Sequence, residues 1–123
     1  MRAAIVLAGL LALGGAAGLS SAATPAAQHG GIVTQVQDLE CELVVNDTHL
    51  RLYVRGRARP ADLASTRARL VLRSGPDQQE VPLVPAGDRF EAIGQFQLGP
   101  GTVAVAEIAT KDRPAVAVRF VLP

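Results

Sequence analysis

Residues 40–55 read Glu40-Cys41-Glu42-Leu43-Val44-Val45, then Asn46-Asp47-Thr48, then His49-Leu50-Arg51-Leu52-Tyr53-Val54-Arg55. Cys41, Leu43 and Val45 alternate with Glu40, Glu42 and Val44, the period of a strand with one face in a core and the other in water. Asn46-Asp47-Thr48 supplies a turn, because Asn and Asp bond their own main chain and accept tight backbone conformations. Leu50, Leu52 and Val54 then point one way and Arg51, Tyr53 and Arg55 the other. The stretch therefore predicts a β-hairpin with a wet, partly basic outer face that includes Glu40 and Glu42.

The same alternation recurs downstream. Ala68, Leu70 and Leu72 face inward against Arg67, Arg69, Val71 and Arg73, and Ser74-Gly75-Pro76-Asp77 turns the chain. Val81 and Leu83 continue the core face in a strand where Pro82 and Pro85 remove ladder donors, which predicts a sheet edge. Phe90, Ala92, Gly94 and Phe96 form another inward row. Thr102 to Ala109 is nearly all apolar and is expected to be covered on both faces, and Val116, Val118, Phe120 and Leu122 close the core. Pro60 to Ser65 breaks the pattern as a crossover with one helical turn. With a short run at Ile32 to Val36, the chain is all-β: seven or eight antiparallel strands, read as an immunoglobulin-like β-sandwich, with a small barrel as the alternative.

Upstream the chain has another character. Met1-Arg2, an apolar stretch from Ala3 to Leu19 and the small residues Ser20 to Ala23 have the layout of a signal peptide. The organisation expected is a cleaved signal peptide over 1–23, a flexible leader over 24–30 and one β domain over 31–123, in a periplasmic or secreted bacterial protein. The apolar centre is short for a membrane span, so no stable membrane insertion is expected after cleavage; an uncleaved anchor is the alternative. Removing Arg2 from the twelve basic residues leaves eleven against eleven acidic ones, a neutral domain. Neutrality, export and the lack of interleaved aromatics argue against nucleic acid as a partner.

Three kinds of site are legible. His29, Glu40, Cys41 and His49 are the residues that would ligate copper or zinc; no other cofactor is implied. The ordinary reading of Cys41 is a buried apolar thiol, and of His49 a solvated turn residue. A cut after Ala26 would put His29 third from a free amine, a set of nitrogens suited to Cu(II). Arg51, Arg55, Arg57, Arg67, Arg69 and Arg73, with Arg59, fall in one stretch with only Asp62 among them, and would form a docking face if they cluster; a solvated sheet face is the plainer alternative. Catalysis has no support in motifs: there is no Gly-x-Ser-x-Gly and no His-Glu-x-x-His, and Glu40 with Glu42 reads as a pair of wet carboxylates rather than an acid and base.

His29-Gly30-Gly31, the Glu42-Leu43-Val44 run, Leu50-x-Leu52-Tyr53-Val54, the segment Val84-Pro85-Ala86-Gly87-Asp88-Arg89-Phe90-Glu91 and Ala117-x-Arg119-Phe120 occur in one order. This order resembles a group of small exported bacterial proteins that are similar to the His-Gly-Gly-led β domain of periplasmic adaptor subunits of heavy-metal efflux pumps. The resemblance implies a noncatalytic accessory module of metal efflux or resistance with an efflux-pump component as partner. Where those proteins place an aromatic and a histidine ahead of the Glu-Leu-Val run, this chain has Leu39-Glu40-Cys41, so Glu40 or Cys41 would have to substitute as ligand. The reading from a different class is a structural or protein-interaction module of the envelope without a metal role.

Overall fold

A computed structural model describes residues 26–111 and 113–123. The expected signal peptide and the first two residues of the leader lie outside the described residues. The strands are β1 (Ile32–Val36), β2 (Leu39–Asn46), β3 (His49–Arg55), β4 (Arg67–Ser74), β5 (Asp77–Ala86), β6 (Arg89–Ile93), β7 (Val103–Ala109) and β8 (Val116–Val121), and a 3-10 turn spans Leu63–Ser65. The expected hairpin is present: β2 and β3 pair with Cys41 opposite Val54, Leu43 opposite Leu52 and Asn46 opposite His49, closed by Asp47-Thr48. The Asn46 side chain accepts the Thr48 amide at 3.0 Å, the local bond that makes Asn a turn former.

All eight strands are antiparallel members of one sheet, in the order β1-β2-β3-β6-β5-β4-β7-β8. The meander β4-β5-β6 is the centre of two overlapping Greek keys. β3 reaches β4 by a long connection and lies beside β6, while β6 reaches β7 by another and β7 lies beside β4. The sheet folds over on β5. Ala68 through Ser74 of β4 pair with Asp77 through Leu83, and Val84 through Ala86 pair instead with β6. The fold is thus sandwich-like, with two four-strand halves facing each other across one continuous sheet. The outer strands come together at β1 and β8, where Thr34 Oγ1 donates to the Arg119 carbonyl at 2.9 Å.

One core fills the space between the halves. Leu43, Leu50, Leu52, Leu70, Ala104, Ala106, Val118, Phe90 and Phe120 are all within 1% of full burial. Each large apolar side chain so placed stabilises the fold by about 1.5–3 kcal/mol relative to exposure. The inward rows expected on β2, β3, β4 and β8 are therefore as observed.

Three expectations need correction. Residues 102–109 are covered on one face only, with Val103, Val105 and Glu107 half-exposed, because β7 has no layer outside it. The prolines of β5 do not mark an outer strand of the sheet. Each part of β5 has a neighbour on one side alone, since it changes partners after Leu83, and such a local edge tolerates a missing donor. Glu42 is not wet: it is fully buried although it points away from the core between the halves.

Candidate functional site

The cover over Glu42 is the segment just before β1. Glu42 Oε1 accepts the Gln28 amide at 2.9 Å and Arg55 Nη1 at 3.1 Å, and Oε2 accepts the His29 and Gly31 amides at 2.8 Å each. Arg55 also donates to Glu40 and, through Nη2, to the Ala26 carbonyl at 2.9 Å. From Ala26 onward the expected leader is therefore laced to the sheet. Gly30, at φ 75°, bends the chain so that successive amides turn toward one carboxylate. Burial pushes the Glu42 pKa up, but the hydrogen bonds from Gln28, Gly31, His29 and Arg55 outweigh it and hold the carboxyl at about 2.

Strand register builds the rest of this outer face. Gln35, Glu40 and Arg55 form one cross-strand row; Val33, Glu42, Tyr53 and Arg89 the next; Val44, Arg51 and Glu91 a third; Asn46, His49 and Ile93 the last. The His29 ring stacks on Tyr53 with centroids 3.7 Å apart and planes at 10°, and the Arg89 guanidinium lies 5.9 Å from the same ring's centroid. Glu91 receives Arg89 Nε at 2.6 Å and lies 3.2 Å from His49 Nε2. The Arg89 hydrogen bond, helped by His49, holds the Glu91 carboxyl below the usual range.

The four residues expected to bind metal are not brought together. His29 lies on Tyr53, Glu40 on Arg55 and His49 against Glu91, while Cys41 points to the opposite side of β2, into the core. Among the described residues no group of three or more His, Cys, Asp or Glu side chains is arranged to hold a metal ion. Cys41 is fully buried, and that burial pushes its thiol up to about 12, with Arg55 lowering and Glu40 raising it less. A thiol kept protonated and covered is a poor nucleophile. Native protein is expected to resist a thiol-specific disulfide reagent and to run as a monomer without reductant, with Cys41 labelling only in denaturant. Labelling of the folded protein at the denatured rate would contradict this placement.

The arginines also separate. Arg51 and Arg55 lie on the face just described; Arg51 is half-buried, and its Nε has no hydrogen-bond partner among the described residues. Arg57 and Arg59 follow the end of β3 and lie in the crossover loop. Arg67, Arg69 and Arg73 face outward from β4, on the other half of the fold. Alternation along a strand tells which side a residue takes, but not which half of a folded sheet carries the strand, so one expected cluster becomes two.

On this second face the rows are Pro82, Arg69, Glu107 and Ala117; Glu80, Val71, Val105 and Arg119; and Gln78, Arg73, Val103 and Val121. Arg69 is occupied by Glu107 at 2.6 Å and Glu80 at 3.2 Å, and Arg73 donates to Gln78 at 3.2 Å. Between them lies an open depression of about 420 Å³ whose floor includes Val71, Val103 and Val105, with Arg73 and Arg119 at its rim.

Sequence reasoning passed over Glu42, Tyr53, Arg89 and Glu91 as site residues. A signal existed in Tyr53 and Arg89, outward-facing positions of strands that pair, but nothing periodic marks the segment that covers Glu42 and Tyr53.

No protein-family model matches the chain, and no curated protein is similar to it. Among solved structures, the crystal structure of a Br derivative of BhCBM56, a carbohydrate-binding module, is similar at 10% identity and a TM-score of 0.44, over 75% of this chain and 99% of that one.

Proposed function

We propose that this chain is a noncatalytic interaction module of the cell envelope that docks a partner protein through the outward face of β4, β5, β7 and β8. The observation that carries this reading is the contrast between the two outer faces. On the β1-β2-β3-β6 face the ionisable groups suited to chemistry already serve one another: Glu42 and Glu40 share Arg55, and Glu91 holds both His49 and Arg89. A general acid or base must be able to exchange its proton with a substrate, and groups committed in this way keep a face in shape instead. On the second face Arg73 and Arg119 have no carboxylate partner among the described residues, and half-exposed valines lie between them. Apolar ground with unpaired cations beside it, next to the balanced Glu80, Arg69 and Glu107 group, suits a docking surface better than a solvated one.

The placement in the envelope rests on the export signal read in residues 1–23. For His29, Glu40, Cys41 and His49 to hold one copper or zinc ion together, the first two and His49 would have to leave Tyr53, Arg55 and Glu91, and Cys41 would have to turn out of the core.

A photoreactive residue at Val71 or Val121, in cells that export the chain, is expected to give one discrete cross-linked species that Gln35 and Thr48 positions do not give. Identical products from both faces, or none from Val71 and Val121, would remove the docking reading. Calorimetric titration of the purified chain with Cu(I), Cu(II) and Zn(II) separates the metal role. No binding tighter than about 1 mM, roughly −4 kcal/mol, would remove that role.

A further inference from the structure

The size of the second face limits what can sit on it. Arg67 and Arg73 are six residues apart on β4, roughly 20 Å, and the four strands span roughly 14 Å between their axes. That gives an area on the order of 300 Å², whereas a stable globular interface takes about 800 Å² from each partner. A short extended segment fits this area and a folded domain does not.

Charge then sets the chemistry of that segment. Glu80 and Glu107 already flank Arg69, so the centre of the face is balanced. The cationic groups that remain are displaced from it: Arg67 opposite Ala109, Arg73 in the row of Val103 and Val121, and Arg119 at the β8 end of the row of Val71 and Val105. The valines form the ground between, and Val121 is half-exposed beside them. A ligand with apolar residues over Val71 and Val105 and carboxylates reaching Arg73 and Arg119 meets opposite charge at its margins. Its carboxylates stay off Glu107 and off Glu80 at the β5 end of the Val71 and Val105 row, both of which Arg69 already holds.

We infer that the partner of this face is a short, extended acidic segment of another protein, with apolar residues alternating with aspartate or glutamate. This rests on the docking reading above and names its partner. Arginine is suited to the task because its planar guanidinium can take a carboxylate through two hydrogen bonds, and an extended chain presents side chains on one face every second residue.

The test uses the full mature chain and a fluorescent eight-residue peptide alternating aspartate with leucine and valine, followed by anisotropy at low and at physiological ionic strength. Binding is expected in the micromolar to submillimolar range, weakening as salt rises because both rim arginines are exposed. R73E/R119E is expected to weaken it at least tenfold, and Val121→Asp several-fold, with thermal melts unchanged because none of the three belongs to the core. Glu91→Gln, on the other face, is expected to leave peptide binding unchanged. Equal binding by R73E/R119E, equal binding of a peptide with lysine in place of aspartate, or no binding at low salt would overturn the inference. Retention on phosphatidylglycerol vesicles without peptide binding would overturn it in favour of a lipid surface. If the peptide fails while the Val71 and Val121 cross-links form, the acidic segment falls and the docking reading stands; if the cross-links fail as well, both fall.

Discussion

Replacing Glu42 by alanine is expected to destabilise the folded domain by about 3 kcal/mol, the low end of the cost of breaking a buried ion pair, and to release residues 26–31 from the sheet. The reason is how few other contacts hold that segment. Fixing six residues costs on the order of 1 kcal/mol each in backbone entropy. The three hydrogen bonds from this segment's amides to the Glu42 carboxylate, each charge-assisted and worth about 1.5–3 kcal/mol, are with the Arg55 bond to the Ala26 carbonyl of the size needed to offset this. With alanine at 42 the amides of Gln28, His29 and Gly31 lose their acceptor, Arg55 loses its fully buried counter-ion, and His29 has no reason to stay on Tyr53. Urea denaturation should show the lower midpoint, and hydrogen exchange should show the amides of residues 28, 29 and 31 unprotected while those of β4 and β7 stay slow. Glu40→Gln is the control: Glu40 and Arg55 keep about a fifth to a quarter of their side-chain exposure, so the loss should be small. Equal protection of the three amides in Glu42→Ala and the parent would contradict the role given to Glu42.

The same contact fixes a pH dependence. The Glu42 carboxyl is held at about 2 in the folded state against an ordinary 4.5. A depressed carboxylate contributes its full stability above the ordinary value and loses it as pH falls toward the folded one. The amides of residues 28, 29 and 31 should therefore become exchangeable between about pH 4.5 and pH 2, and Glu42→Gln should abolish that dependence.

The hairpin, the inward rows and the number of strands were legible because each depends on a two-residue period that a single strand displays by itself. Cys41 was legible for the same reason, its inward position following from Leu43 and Val45. Glu42 was not. Period two puts it outside the core, which is correct, and then assumes that outside means water. Its cover comes from Gln28 to Gly31, eleven to fourteen residues earlier, in a stretch with no periodicity, and it arrives through backbone amides that any sequence carries. What those four positions do show is His29-Gly30-Gly31, a motif as plain in the sequence as Glu42-Leu43-Val44. In the fold these two motifs are the two sides of one contact. The division of the arginines was hidden for a different reason: β5 changes partners midway, and no local pattern tells which half of a folded sheet a strand will join.

Gly31→Ala is expected to be the more damaging of the two glycine substitutions in that motif, by about 2 kcal/mol or more, the cost of forcing atoms into closed space. Gly31 precedes β1, where Ile32 pairs with Leu43, so its Cα runs directly over the Leu43 backbone. A Cβ there would lie 2.9 Å from the Leu43 carbonyl carbon and 2.9 Å from Val44 Cγ2, and would collide with the Leu43 carbonyl oxygen. Backbone at the centre of a paired strand cannot give way, so residue 31 must lift. Lifting it draws the Gly31 amide away from Glu42 and loosens the first pair of β1. Gly30 is the contrast. Its Cβ would meet nothing within 4 Å, so Gly30→Ala pays only for its left-handed backbone at φ 75°, about 1 kcal/mol. Because Gly31 and Glu42 act through one contact, their effects should not add. In a Glu42→Ala background the segment is already detached, and Gly31→Ala should cost well under half of what it costs in the parent, by a double-mutant cycle in urea. Full additivity, or equal losses from the two glycines, would show that the close approach at Leu43 is not what requires glycine at 31.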